Sequence, residues 1–199
     1  MKKVVLVHGL FMPGVIMQFL YRKLKRQGFA VTMFSYHTLD FEQGVTKLNR
    51  EVSQGGEVYF VGHSLGGLLI RRYFEKYQPH FDDTCIVTIG TPHNGSRVAR
   101  IVCDKTGTLI LKKSSQILSQ GLASHLSNVA IGCIVGLKNI GLGNFFRNGK
   151  GDGMVLVDEA ILESAKDICY VNYNHTAMIY SKQVVQQIIR FIDTRQFIH

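Results

Sequence analysis

A serine hydroxyl becomes a nucleophile near neutral pH only when a base takes its proton and a third group holds that base in the right tautomer. Ser64 stands where such chemistry is expected, in Val58-Tyr59-Phe60-Val61-Gly62-His63-Ser64-Leu65-Gly66-Gly67. A short apolar run ends in Gly-x-Ser-x-Gly, and a second apolar segment, Leu68 to Phe74, follows at once. Strand, tight turn and helix form the context that makes this pentapeptide meaningful. The turn is so sharp that Gly62 and Gly66 must be small, because a Cβ would block the approach of helix to strand. It also leaves the Ser64 hydroxyl at a helix N-terminus, where partial positive charge favours a developing anion.

The base is sought among eight histidines. His175 is the best placed, in Val171-Asn172-Tyr173-Asn174-His175-Thr176-Ala177, after the last strand-like run and before the last helix. The third member should be an acid between serine and histidine, on a loop that follows a strand. Asp82 and Asp83 precede a strand and fall at the wrong end, and Asp104 lies in a helical region. Asp152 stands in Gly149-Lys150-Gly151-Asp152-Gly153-Met154-Val155, where glycines leave room for a bent backbone and for hydrogen bonds to a carboxylate. Asp158 and Glu159 are its rivals; both fall on a short helix, where a solvated face is the stronger reading. The order Ser64, Asp152, His175 is the one expected when the nucleophile rides on this kind of elbow.

A tetrahedral oxyanion needs two converging backbone donors. One is the amide of Leu65; the other is expected from the loop after the first strand, at Leu10 or Phe11. His63 neighbours the serine, but its position aims it away from the hydroxyl, towards packing and hydrogen bonding. His8 is read as a loop-fixing group. His93, in Gly90-Thr91-Pro92-His93-Asn94-Gly95-Ser96, is read as a structural residue near the site, with contact to substrate as the alternative. Phe11, Met12, His93 and Leu142 form the candidate pocket set. Ile16, Leu109, Ile110 and Leu111 are further apolar candidates for an acyl pocket, with core packing as the competing role.

Six apolar runs supply strands to carry these residues: 3–7, 29–36, 58–61, 84–89, 129–136 and 168–172. Helical spacing fills the intervals, with Ile16, Phe19, Leu20 and Leu24 over 15–26 and Phe41, Val45, Leu48 and Val52 over 41–53. A further helix runs from the serine turn to about Tyr77, and Val184, Val185, Ile188, Ile189 and Ile192 mark one over 177–195. Residues 96–126 look mostly helical, 137–153 a long glycine-rich loop, and 154–165 a short helix or turn. The alternation predicts an α/β fold: a mostly parallel sheet of about six strands, helices on both faces, and a site at the strands' C-terminal ends. No repeat or linker interrupts it, so residues 1–199 are expected to form a single domain. Residues 97–127 are the one stretch available as a cap.

Composition agrees. Apolar residues are 46% and charged residues 19% of 199, an ordinary globular balance. No apolar run reaches the ~18 residues that span a bilayer. The N-terminal apolar run breaks at His8-Gly9 without a small-residue cleavage site, so it reads as a strand rather than a signal peptide, and a cytoplasmic location is expected. Cys85, Cys103, Cys133 and Cys169 lie far apart with no C-x-x-C pair, as buried thiols do, rather than a disulfide or metal set. The net charge is +9, from 23 basic and 14 acidic residues. Its densest cluster, Arg22-Lys23-Lys25-Arg26, reads as a solvated helix face, with peripheral contact to an anionic membrane surface as the sharper alternative. Nothing matches a nucleic-acid-binding motif, so nucleic acid is not an expected partner.

Taken together, Val7-His8-Gly9, Gly62-His63-Ser64-Leu65-Gly66-Gly67, Gly90-Thr91-Pro92-His93-Asn94-Gly95-Ser96, Asp152-Gly153-Met154-Val155 and His175 resemble the α/β-hydrolase superfamily, on its lipase and esterase branch. The resemblance covers nearly the whole chain, and the combination is specific where each piece is not. It implies a Ser64–His175–Asp152 triad, an oxyanion hole from Leu10 or Phe11 with Leu65, no metal and no cofactor. The expected activity is cleavage of a small-molecule or lipid carboxylic ester through an acyl-enzyme. Two alternatives stand beside it: an acyltransferase or thioesterase on the same triad, and a non-catalytic hydrolase-like module that binds lipid or protein. At 199 residues the chain is a small member of such a family, with little or no cap.

Overall fold

The central strands of this chain are apolar on both faces, and the sheet is covered on both there. The computed structural model describes residues 1–107, 109–123, 126–140 and 149–199. Its strands are β1 (Lys3–Val7), β2 (Ala30–Phe34), β3 (Val58–His63), β4 (Cys85–Ile89), β5 (Ala130–Gly136) and β6 (Asp167–Val171). They pair in parallel in the order β2-β1-β3-β4-β5-β6. The α-helices are α1 (Gln18–Arg26), α2 (Phe41–Glu51), α3 (Leu65–Tyr77), α4 (Arg97–Thr106), α5 (Ser115–Gln120), α6 (Val157–Ala160) and α7 (Lys182–Thr194).

Alternate side chains along a strand point to opposite faces, and two cores follow. Val4, Leu6, Tyr59 and Val61 pack with Leu20 and Leu24 of α1 and Val184, Ile188 and Phe191 of α7. Val5, Val7, Val58 and Phe60 pack on the other face with Val45 and Leu48 of α2 and Leu65, Leu68 and Leu69 of α3. Near-continuous apolar strands of this kind are what a doubly covered parallel sheet requires.

The strand order creates the site. From β1 the chain steps outward to β2, then returns to place β3 on the other side of β1. The loops after β1 and β3 therefore diverge over one crevice at the strands' C-terminal ends, where open α/β sheets bind ligands.

Two expected helices are interrupted. The 15–26 segment opens as a 3-10 turn, Gly14–Met17, before α1 begins. The 177–195 segment divides into a 3-10 turn, Ala177–Tyr180, and α7. The break falls at Ser181, whose hydroxyl accepts from Val184 N at 3.3 Å and so caps a fresh helix. Within residues 97–127, α4 and α5 place Ala99 and Leu118 in the core, so these two helices form a wall of the fold. All four cysteines are free thiols, and Cys85, Cys133 and Cys169 are buried. Among the described residues, no helix is long and apolar enough to cross a membrane.

Candidate functional site

Ser64 has φ +54° and ψ −124°, a conformation that side chains with a Cβ seldom adopt. Its neighbours hold it there. Ser64 N donates to Ile89 O at 2.9 Å, while Ser64 O accepts from Gly67 N at 3.0 Å and from Thr91 Oγ1 at 3.0 Å. The two flanking glycines are steric necessities. A Cβ at Gly62 would lie 2.5 Å from Gly67 Cα, and one at Gly66 would overlap the carbonyl oxygen of Val7.

Asp152 and His175 meet across the ends of β5 and β6. His175 Nδ1 lies 2.7 Å from Asp152 Oδ2, and both residues are buried. The other carboxylate oxygen, Oδ1, accepts from Met154 N at 2.9 Å and Val155 N at 2.8 Å. The carboxylate is thus an acceptor throughout, which assigns the ring proton to Nδ1 and leaves Nε2 bare. The backbone repeats the pairing, with His175 N donating to Asp152 O at 2.8 Å.

His63 holds the same loop from below. Its Nε2 donates to His175 O at 3.0 Å, and the two rings lie 4.6 Å apart. Its Nδ1 has no hydrogen-bond partner among the described residues. Burial, above all, pushes the His63 pKa down to about 3, so the ring stays neutral.

The loop after β1 is pinned by His8. Its Nδ1 donates to Gly9 O at 3.0 Å, its Nε2 accepts from Tyr36 N at 3.4 Å, and Tyr36 Oη donates to His8 O at 3.1 Å. A Cβ at Gly9 would lie 2.9 Å from Ser64 Cβ, which measures how closely this loop approaches the serine. Of the donors expected here, Phe11 is already engaged: its amide donates to Thr38 Oγ1 at 3.2 Å. Among the described residues, nothing accepts from the amides of Leu10 or Leu65, so those two remain available to an oxyanion.

An apolar pocket of about 360 Å³ opens beside Ser64 and His175, between the β1 loop, α4 and α5. Phe11 and Met12 line it as expected, as do Ile110 and Leu111. Ile16 packs instead against the α1–α7 core, Leu109 projects into solvent, and Leu142 lies outside the described residues. His93 is not part of the pocket: it is fully buried, with Nδ1 accepting from Arg71 Nη1 at 3.0 Å and Nε2 facing Thr88 Oγ1 at 3.0 Å. Burial and the Arg71 charge lower its pKa well below the ordinary value, so it is a neutral strut between α3 and the loop after β4.

The rival acids separate. Asp158 is exposed, as a solvated helix face implies. Glu159 is buried, contrary to that expectation, because its carboxylate accepts from Arg97 N at 2.5 Å and Leu156 N at 2.9 Å. It serves two helix starts, and neither rival meets His175. Thr38, Thr91 and Arg71 also hold these loops in place; of the three only Thr91 carries a local sequence signal, its place in the Gly-Thr-Pro-His loop. Among the described residues, no group of three or more His, Cys, Asp or Glu side chains is arranged to hold a metal ion.

A parallel sheet with a serine on a strained strand–helix elbow and a buried Asp–His pair beyond it is the architecture of the α/β-hydrolase fold. The chain belongs to the alpha/beta hydrolase fold family, whose profile matches residues 3–103. Among solved structures, the mature form of the Bacillus licheniformis lipase BlEst2 is 18% identical with a TM-score of 0.70, covering 96% of this chain and 91% of that one. Its propeptide form gives a TM-score of 0.80 at 18% identity over 96% of this chain, and this chain spans 50% of that longer one. The esterase EaEST from Exiguobacterium antarcticum gives 0.66 at 10% identity over 98% of this chain and 92% of its own. At these identities the likeness is one of fold. No curated protein matches the chain.

Proposed function

We propose that the protein hydrolyses carboxylic esters through an acyl-enzyme. The observation that carries this reading is the 2.7 Å bond between His175 Nδ1 and Asp152 Oδ2, made at the edge of a pocket that Ser64 also lines.

The chemistry follows from which atoms are engaged. With Nδ1 bonded to Asp152, Nε2 is the basic nitrogen and takes the Ser64 proton as Oγ bonds to the ester carbonyl carbon. The amides of Leu10 and Leu65 receive the oxyanion. Collapse of the tetrahedral intermediate breaks the bond to the alcohol oxygen, which leaves with the proton from Nε2. Water then attacks the acyl-serine, again giving its proton to Nε2, and Ser64 departs with that proton as the acid is released. Asp152 stabilises the imidazolium formed at each stage.

The test is Ser64→Ala assayed on p-nitrophenyl butyrate, with a fluorophosphonate probe in parallel. Loss of turnover on the order of 10⁶-fold is expected, together with loss of labelling. Retained turnover, or labelling of the wild type at another residue, removes Ser64 from this role.

A further inference from the structure

The pocket beside Ser64 has a definite size and chemistry. Its floor is made by Ala99 of α4, Leu118 of α5, Leu111 and Val155, all buried members of the core. Its rim is Phe11 and Ile110, 60% and 44% exposed. Ser96, a polar lining residue, is already committed, its Oγ accepting from Ala99 N at 3.3 Å as the cap of α4. No Asp, Glu, Lys or Arg lines the pocket among the described residues. A charged group seated on that floor would be desolvated without a partner, which is strongly unfavourable.

Size sets the length of what enters. An apolar cavity of about 150 Å³ holds one benzene, so the ~360 Å³ here takes about fourteen non-hydrogen atoms, on the order of ten acyl carbons with the ester group at Ser64. We infer that the site selects neutral monoacyl esters of medium chain length, about eight to twelve carbons, with the chain running from Ser64 to the floor at Ala99 and Leu118. This rests on the hydrolase reading and deepens it.

The experiment is a p-nitrophenyl ester series from acetate to palmitate, with the monoester of suberic acid as the charged counterpart of the octanoate. kcat/KM is expected to rise about fourfold per methylene while chain is being buried, to peak between octanoate and dodecanoate, and to fall for palmitate. The suberate monoester is expected to react at least ~100-fold more slowly than the octanoate. A maximum at acetate, a rise continuing to palmitate, or equal use of the charged chain overturns the inference while leaving the hydrolase reading in place. No turnover at any length, with Ser64 unlabelled by a fluorophosphonate, overturns both. Ala99→Leu raises the floor and is expected to move the maximum to chains shorter by about two or three carbons. An unmoved maximum in a cooperatively melting A99L protein removes the chain from that floor.

Discussion

His63 Nε2 donates a hydrogen bond to the backbone carbonyl of His175 at 3.0 Å, with the two imidazole rings 4.6 Å apart. The residue preceding the proposed nucleophile therefore positions the residue proposed as its base. His175 is held at three points: its amide and Nδ1 by Asp152, and its carbonyl by His63. A side chain fixed in this way loses little entropy on reaching the transition state.

His63→Phe keeps the ring packing and removes the donor. It is expected to lower kcat about tenfold with little change in KM, and to cost about 1–3 kcal/mol of stability by leaving the buried carbonyl unsatisfied. His63→Gln, which restores an N–H donor, is expected to recover part of both losses. Steady-state kinetics and urea unfolding on the two variants check this. Equal kcat in wild type and His63→Phe would make the bond a matter of folding alone.

Three histidines buried in a neutral state make the fold sensitive to acid. His63 titrates near pH 3 in the folded protein against an ordinary value of 6.5, and burial also lowers His8 and His93. A lowered folded pKa means the unfolded chain binds the proton first. The stability from the neutral ring is fully present above pH 6.5 and is lost as pH falls from there towards 3. For His63 alone the loss is about 2 kcal/mol by pH 5. Urea midpoints are expected to drop between pH 7 and pH 5, with a shallower drop in His63→Phe.

Asp152→Asn preserves shape but not acceptor character. An amide there turns a donor or a weaker acceptor towards Nδ1, so the bare nitrogen no longer faces outward reliably. A fall in kcat of about 10⁴-fold is expected with KM changed far less. Near-wild-type rates in Asp152→Asn would detach the acid from the reaction.

Gly90 carries the Asp–His pair on its back. Its φ is +55°, and a Cβ there would lie 2.8 Å from Asp152 Oδ2 and 3.1 Å from His175 Nδ1. Gly90→Ala is expected to destabilise by more than about 1 kcal/mol and to depress kcat as well, because the pair must shift. Thermal melting and turnover measured together test it; an unchanged kcat would show that the pair is held independently of that loop.

The basic cluster lies away from this chemistry. α1 runs back along the sheet, so Lys25 and Arg26 end beside the start of β2, whose Ala30 N bonds to Lys2 O. The pocket opens at the opposite, C-terminal, ends of the strands. Lys23→Glu with Lys25→Glu is therefore expected to leave turnover of a water-soluble ester within about twofold, since exposed charges at that range are screened. A tenfold change would tie that face to the site.

The residues of the candidate site were legible in the sequence where the signal is local. Gly62 and Gly66 announce a kink that only glycines permit, and the apolar run before them announces the strand. Asp152 was legible because glycines frame it after a strand, and His175 because it falls between the last strand and the last helix. The departures share a cause: hydrogen-bond partners brought from elsewhere. Phe11 looked as suitable a donor as Leu10 until Thr38, from the segment after β2, claimed its amide. For His93, read as structural with substrate contact as the alternative, it is the alternative that Arg71 of α3 and Thr88 of β4 exclude by enclosing the ring. Glu159 looked solvated until it met the amide of Arg97.

The sequence by itself determined the strand–helix alternation, the elbow and the order of serine, acid and histidine, because backbone sterics and the spacing of apolar residues act over a few positions. Only the tertiary structure decided which donor stays free, which histidine supports another, and which apolar side chains line the pocket beside Ser64. Those depend on which distant side chains meet, and no local pattern carries that.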